Sequence, residues 1–468
     1  MGKLTNKPRA PSQFSAPSRF ERFNLTENPF PSEPVVHKGS EDRRINGGIY
    51  ESALRQKEFE KIKANFLQQP QRDPNHLRLG YIMDESYIGR GNGKSAFLLN
   101  LEHAINGEYC LDLSAGENKC FAVYVDPEPG GRTKSFNSFV DCLFRAILDA
   151  NLIRDSIAIL RLNAIRQLGI GPGLAEKDDD AQLVECVSSE KWLNEAGIDL
   201  ASVAKNVRGN QFLQGLPPEF PLFQEVASNS LFVSLVSQAD FKVHYEHLKR
   251  GAERLTFVFS HLVRLFQAAD FNGAYVLVDD FERIPDFQSA RQKRDFALEL
   301  RSVLFDGLFI NARVGFFNFL LVLHAGVPRL ISEAWQESGM EARSPISQTS
   351  PRHVITFEKL DKHHVGLLLK KYLDAYRITP DAQLDPFTID AAERLGEVSE
   401  YNAARILKAA WGLLDKASEL SGASHIDAKF VDTYRDPDQD LSQKDEPAGI
   451  SRAKSTDLRE KAMGKDEG

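Results

Sequence analysis

"YIGRGNGKSAF", residues 87–97, is the stretch on which the reading of this chain turns. Counting back from Lys94, Gly93 and Ser95 fit the phosphate-loop pattern G-x-x-x-x-G-K-[ST]; the first glycine position holds Ile88, and Gly89 sits one place late. Ahead of it, "LRLGYIM" (77–83) reads as a strand. Behind it, "SAFLLNLEHAING" (95–107) carries apolar residues at 97, 98, 101 and 105, a helical stripe that ends at Asn106-Gly107. In that setting the backbone N–H groups from Gly89 through Arg90, Gly91, Asn92 and Gly93 to Lys94 would cradle phosphates at a helix N-terminus, with Ala96 completing the contact stretch. Glycine at 91 and 93 lets the backbone come close without a Cβ in the way. The Lys94 ammonium would reach the β- and γ-phosphates, and the Ser95 hydroxyl would coordinate Mg2+.

A second stretch supports the first. "GAYVLVDDFERI" (273–284) is a run of β-formers that ends in Asp279 and Asp280. A buried parallel strand delivers such groups at its carboxyl end, where ligands of open α/β sheets bind. Asp279 would hold Mg2+ and Asp280 would orient or deprotonate an attacking water. Acidic residues after a strand are common, so the pair gains its meaning from the loop that precedes it.

Bulk properties narrow the class. The 468 residues allow two or three domains. A net charge of −8 provides no overall basic field for nucleic acid. The four cysteines, at 110, 120, 142 and 186, show no C-x-x-C spacing and read as reduced thiols. No apolar run approaches the roughly 18–20 residues of a membrane span. The longest, "VGFFNFLLVLHAGV" (314–327), contains Asn318 and His324 and reads as a buried strand. The start of the chain lacks the apolar core of a signal peptide. A cytoplasmic protein is the expectation.

The remaining segments assemble into an α/β protein. "CFAVYV" (120–125) reads as a parallel strand and "SFNSFVDCLFRAILDANLI" (135–153) as an amphipathic helix. "LTFVFSHLVRLFQAAD" (255–270) reads as a further helix, and 155–245 as a mostly helical insertion. Residues 1–45, rich in Pro, Ser and charge, read as a flexible arm, although "FNLTENPFP" (23–31) carries apolar anchors. The expected layout is an ATPase core over 46–335, a helical lid over 352–434 and a disordered tail over 435–468.

Taken together, "NPFP", "IGRGNGKS", "VLVDDFE", "LVLHAGVP" and "AARIL" resemble the AAA+ P-loop ATPases, in the branch of origin-recognition-like initiators and transposition ATPases. The resemblance implies ATP as ligand with Mg2+, protein partners, a homo-oligomer, and action on DNA. It also implies that His324 acts as sensor 1 beside the γ-phosphate and Arg405 as sensor 2 from the lid; a strand-end histidine and a surface arginine are the plain alternatives. Arg313 and Arg329 lie where an arginine finger could be sought. The Asp-Asp pair, where most relatives have Asp-Glu, also resembles STAND-type NTPases. That keeps open a slow nucleotide-dependent switch acting through protein partners, with defence against mobile elements as one setting for it.

Overall fold

The computed structural model describes residues 18–67, 77–84, 91–109, 119–169, 180–223, 236–324, 327–347, 350–380 and 383–435. These form two compact units. The sheet unit comprises residues 57–84 and 97–358 of the described chain; the helical unit comprises 18–56, 91–96 and 359–435.

The sheet unit is built on five strands, all parallel, in the order β2-β3-β4-β1-β5. They are β1 (Leu79–Asp84), β2 (Lys119–Val125), β3 (Phe271–Val278), β4 (Phe317–Leu323) and β5 (Val354–Phe357). β1 is paired on both edges, with Tyr81 opposite Leu321 of β4 and Val354 of β5. Alternate residues supply two buried faces. Leu79, Tyr81 and Met83 point into the same core as Phe121, Val276, Phe319 and Leu321. On the other face, Ile62, Phe66 and Leu67, in and just after α1 (Gln56–Asn65), meet Tyr275, Leu277 and Leu320 together with Leu101 and Ile105. A sheet buried on both faces explains why its strands read as continuous apolar runs.

The first core is aromatic. Phe121 lies edge-on to Phe266, with ring centroids 4.9 Å apart, and to Phe271 at 5.2 Å. Such contacts add about 0.5–1.5 kcal/mol each beyond the area they bury. The helices covering this face include α3 (Phe136–Asp149), α4 (Leu152–Gln167) and a longer helix whose α-helical Ala252–Thr256 passes through the π-helical Phe257–Leu262 into Val263–Ala268. Where it is described, the segment read as an insertion is mostly helical, with turns over 209–220, and its described residues do not carry a separate core. Ile157, Leu160, Val203, Val207 and Phe241 join the cluster that holds the strands.

The helical unit has its own core. It contains α13 (Lys362–Asp374), α14 (Ile389–Val398), α15 (Ala403–Glu419) and α16 (Ala428–Tyr434), numbered after the eight helices that follow α4 among the described residues of the sheet unit. α15 buries Ala404, Ile406, Leu407, Ala410, Leu413, Leu414 and Ala417, a stripe at helical spacing. Residues 18–45, expected to be part of a flexible arm, are instead packed here. Phe20, Phe23, Leu25 and Phe30 are buried, and Phe30 stacks on Tyr372 and meets Phe387 edge-on. Each large apolar side chain so buried contributes about 1.5–3 kcal/mol, enough for a few anchors to hold a segment whose average composition is polar.

Two boundaries also differ from the expected layout. Residues 46–56 group with the helices, and Val354–Phe357 is the edge strand β5 of the sheet, outside the lid. The tail from 436 onward lies outside the described residues. Among the described residues, no helix is long and apolar enough to cross a membrane.

Gly80 of β1 sits under the Phe66 ring, and a Cβ there would fall 1.7 Å from Phe66 Cζ. Gly80→Ala is expected to destabilise the protein by about 1–3 kcal/mol, read as a lowered denaturation midpoint at unchanged slope.

Candidate functional site

All five strands run the same way, so their carboxyl ends share one edge of the sheet. β1 ends there at Asp84 and β3 at Val278, with β4 between them. The chain leaves β1 for β2 at one edge and returns through β3 and β4 before crossing to β5. The carboxyl end of β1 is therefore the switch point at which open α/β sheets bind ligands.

Asp279 and Asp280 follow β3 directly. Asp279 is 4% exposed, and both of its carboxylate oxygens are engaged. The Tyr124 hydroxyl of β2 donates to Oδ2 at 2.7 Å, and the Asp280 backbone N–H donates to Oδ1 at 3.0 Å. Register explains the first contact, because Tyr124 lies opposite Leu277 in the β2–β3 ladder. Burial, followed by the charge of Asp279, pushes the Tyr124 phenol far above its ordinary range, so it stays a donor.

Asp280 is built differently. Its backbone is left-handed, with φ +41° and ψ +45° at the start of the 3-10 turn Phe281–Arg283. Aspartate tolerates that region better than most residues, and such conformations cluster at functional sites. The turn brings Arg283 back, so that its guanidinium pairs with Asp280 and with Asp126 beyond β2, and donates to the Pro127 carbonyl at 3.1 Å. Burial alone would lower the pKa of Arg283. The carboxylates of Asp280, Asp126, Asp279 and Glu282 outweigh it and hold the group above its ordinary value. Neither Tyr124 nor Arg283 was singled out from the sequence. The parity of Tyr124 in "CFAVYV" could have pointed to it, whereas Arg283 required the turn geometry.

His324 directly follows β4 and is half-buried. It leaves the strand next to β3, two positions past the level of Asp279, since Val278 lies opposite Leu321.

Of the phosphate-loop candidates, Gly89 and Arg90 lie outside the described residues. Gly91, Asn92, Gly93, Lys94, Ser95 and Ala96 group with the helical unit. Lys94, Ser95 and Ala96 form the first turn of α2 (Lys94–Ala104), so their N–H groups are among those a helix leaves without internal partners. Gly91 and Gly93 have φ of +91° and +82°. The two glycines are needed for different reasons. A Cβ on Gly91 would come within 2.6 Å of Asn402 Oδ1 and 2.8 Å of Ala404 Cβ, whereas one on Gly93 would meet nothing, leaving only its backbone angle as the constraint.

Asn402 caps α15, accepting from the Arg405 N–H at 3.2 Å, and its Nδ2 lies 3.4 Å from Asn92 Oδ1. The cap thus places the start of α15 against the loop. Arg405 itself pairs with Glu400 at 3.3 Å. Its helix reaches the loop, while its guanidinium meets a neighbouring carboxylate.

No known protein family matches this chain, and no curated protein matches it. Among solved structures, ORC2 from Aeropyrum pernix, determined as ADPNP–ADP complexes, is similar at 12% identity over 88% of this chain and 71% of that one, with a TM-score of 0.40. At that level the likeness assigns neither family nor function.

Tyr124→Phe removes the hydroxyl donor and leaves a buried carboxylate oxygen without it. The expected cost is about 1–3 kcal/mol of stability, measured by equilibrium unfolding, with the sheet's circular dichroism unchanged.

Proposed function

We propose that the chain binds Mg-ATP through residues Gly89–Ala96 and hydrolyses it, coupling the nucleotide cycle to the remodelling or loading of protein partners, with DNA a candidate platform. The observation that carries this reading is the acidic pair at the carboxyl end of buried β3, in a sheet whose strand β1 is followed in sequence by the glycine loop and then by α2. Backbone N–H groups of the loop and the first turn of α2 would take the phosphates, and the Lys94 ammonium would offset their charge. Asp280 would orient the attacking water and take its proton as the bond from the γ-phosphorus to the ADP oxygen breaks. His324 and Arg405 are the residues to test for contact with the transferred phosphoryl group.

Mg2+ fits the donors present. Asp279 and Ser95 supply oxygen only, the ligand type that Mg2+ takes. Among the described residues there is no cluster of three or more His, Cys, Asp or Glu side chains, and Mg2+ held by one or two carboxylates plus phosphates needs none. When bound, the ion would neutralise charge on the phosphates.

A second reading, the slow switch, draws support from Arg283. A water that is to be oriented by Asp280 must compete with a guanidinium already paired to it. A partner that displaced Arg283 would then set the rate.

Steady-state ATP hydrolysis with and without DNA separates these readings. The motor or loader predicts turnover that falls about a hundredfold or more in Lys94→Ala and in Asp280→Asn, and that DNA raises. Tight Mg-ATP binding with negligible turnover, insensitive to DNA, would point to the switch. Absence of nucleotide binding would overturn both.

A further inference from the structure

The loop is held from outside at two of its carbonyl groups. The Gly91 carbonyl accepts the backbone N–H of Ala404, 3.0 Å away, in the first turn of α15. The Asn92 carbonyl accepts Nη2 of Arg55, also at 3.0 Å, from the 3-10 turn Ser52–Arg55. Because a trans peptide is planar, the C=O of one residue and the N–H of the next point in opposite directions. Fixing the carbonyls of Gly91 and Asn92 therefore fixes the N–H groups of Asn92 and Gly93 as well. Both are turned away from the donors that hold the loop. With φ positive on either side of Asn92, consecutive N–H groups in such a stretch form the kind of concavity that binds anions.

Arg55 is 5% exposed. A guanidinium so deeply buried is desolvated at a cost, and one of its donors is committed to a loop carbonyl, where it also brings positive charge close to the loop. Ala404 is placed by the Asn402 cap, which uses the N–H of Arg405 and leaves that of Ala404 for Gly91.

We propose that Arg55 and the first turn of α15 are positioning elements for a nucleotide polyphosphate. They set the peptide planes at Gly91–Asn92 and Asn92–Gly93 before the anion arrives. The inference rests on the nucleotide-binding reading above and adds to it residues outside the phosphate-loop pattern. Neither Arg55 nor Ala404 touches the nucleotide. They lower the ordering cost of binding, which is how pre-organisation raises affinity.

The test compares the full-length protein with Arg55→Met, which keeps a long apolar stem and loses the donors, and with Arg55→Lys, which restores one charged donor. Ala404→Pro removes the second donor at a helix position that tolerates proline. In the nucleotide-free protein, amide exchange over residues 91–95 is expected to quicken about tenfold or more in Arg55→Met and Ala404→Pro, at melting temperatures close to wild type. The dissociation constant for a non-hydrolysable ATP analogue is expected to rise about tenfold or more in both, and to recover in part in Arg55→Lys. If Arg55→Met does not fold, Ala404→Pro and Arg55→Lys decide the matter. Unchanged exchange and affinity in the folded variants would overturn the inference alone. A wild-type chain that binds no nucleotide would overturn the nucleotide reading and this inference together.

Discussion

A strand hydrogen-bonded along both edges and buried on both faces has no freedom left in direction or register, and β1 is such a strand. Its pairing with β4 and β5 spends its backbone donors and acceptors on neighbours. A one-residue slip would exchange Tyr81 and Met83 for Gly80 and Ile82 on the aromatic face. The covering layers enforce the same register. Phe66 can lie against β1 only because position 80 has no side chain. Tyr81, fully buried, hydrogen-bonds the Ser344 carbonyl at 2.9 Å and receives the Trp335 indole N–H at 2.8 Å. Once β1 is fixed, so are the place where its carboxyl end emerges and the level of Asp279 two strands away.

The strands were legible in the sequence to the degree that they were long. β1, β2, β3 and β4 are continuous apolar runs flanked by polar turns, and "VGFFNFLLVLHAGV" declared itself a strand despite Asn318. That asparagine is 1% exposed, and its amide reaches the carbonyls of Phe316 at 3.0 Å and Gly315 at 3.2 Å. A polar residue in an apolar run is thus accommodated by the chain's own turn. β5 escaped because four residues between "PRH" and "EKL" carry no period that can be read. The N-terminal segment escaped for the opposite reason. Its few anchors, Phe20, Phe23, Leu25 and Phe30, are diluted by charge, yet Arg19 pairs with Asp415 and Arg22 reaches the Ala417 carbonyl, so the charges are docking groups as well.

The candidate site divides along the same line between pattern and geometry. The residues that match a linear pattern, Gly91 to Ser95 and Asp279–Asp280, could be named as candidates from the sequence because their spacing is local. Those that hold them, Tyr124, Arg283, Arg55 and Asn402, come from other elements or from a turn whose left-handed start could not be read from residue types. Even the glycines carry more than their pattern. Gly93 answers to backbone angle alone, whereas Gly91 must also admit the cap of α15. A phosphate-loop pattern selects small residues for the ligand's sake, and here one of them is equally required by a helix from a distant part of the sequence.

The two aspartates also show why adjacent acids need not be equivalent. Asp279, buried and held by a tyrosine hydroxyl and a backbone N–H, has one geometry available to it. The Tyr124 hydroxyl and the Asp280 backbone N–H each take one of its carboxylate oxygens. Asp280, about a third exposed, has its charge met by Arg283. The left-handed start of the turn and the return of Arg283 belong to one device, because the Arg283 N–H bonds the Asp280 carbonyl at 3.0 Å while the side chains pair above it. Aspartate, one methylene shorter than glutamate, fits this tight clasp and reaches less far beyond it. The same shortness bears on both readings of the site, since it favours the paired state with Arg283 and lengthens the distance to any water Asp280 would have to orient. On the switch reading, the rate would turn on how often the clasp opens.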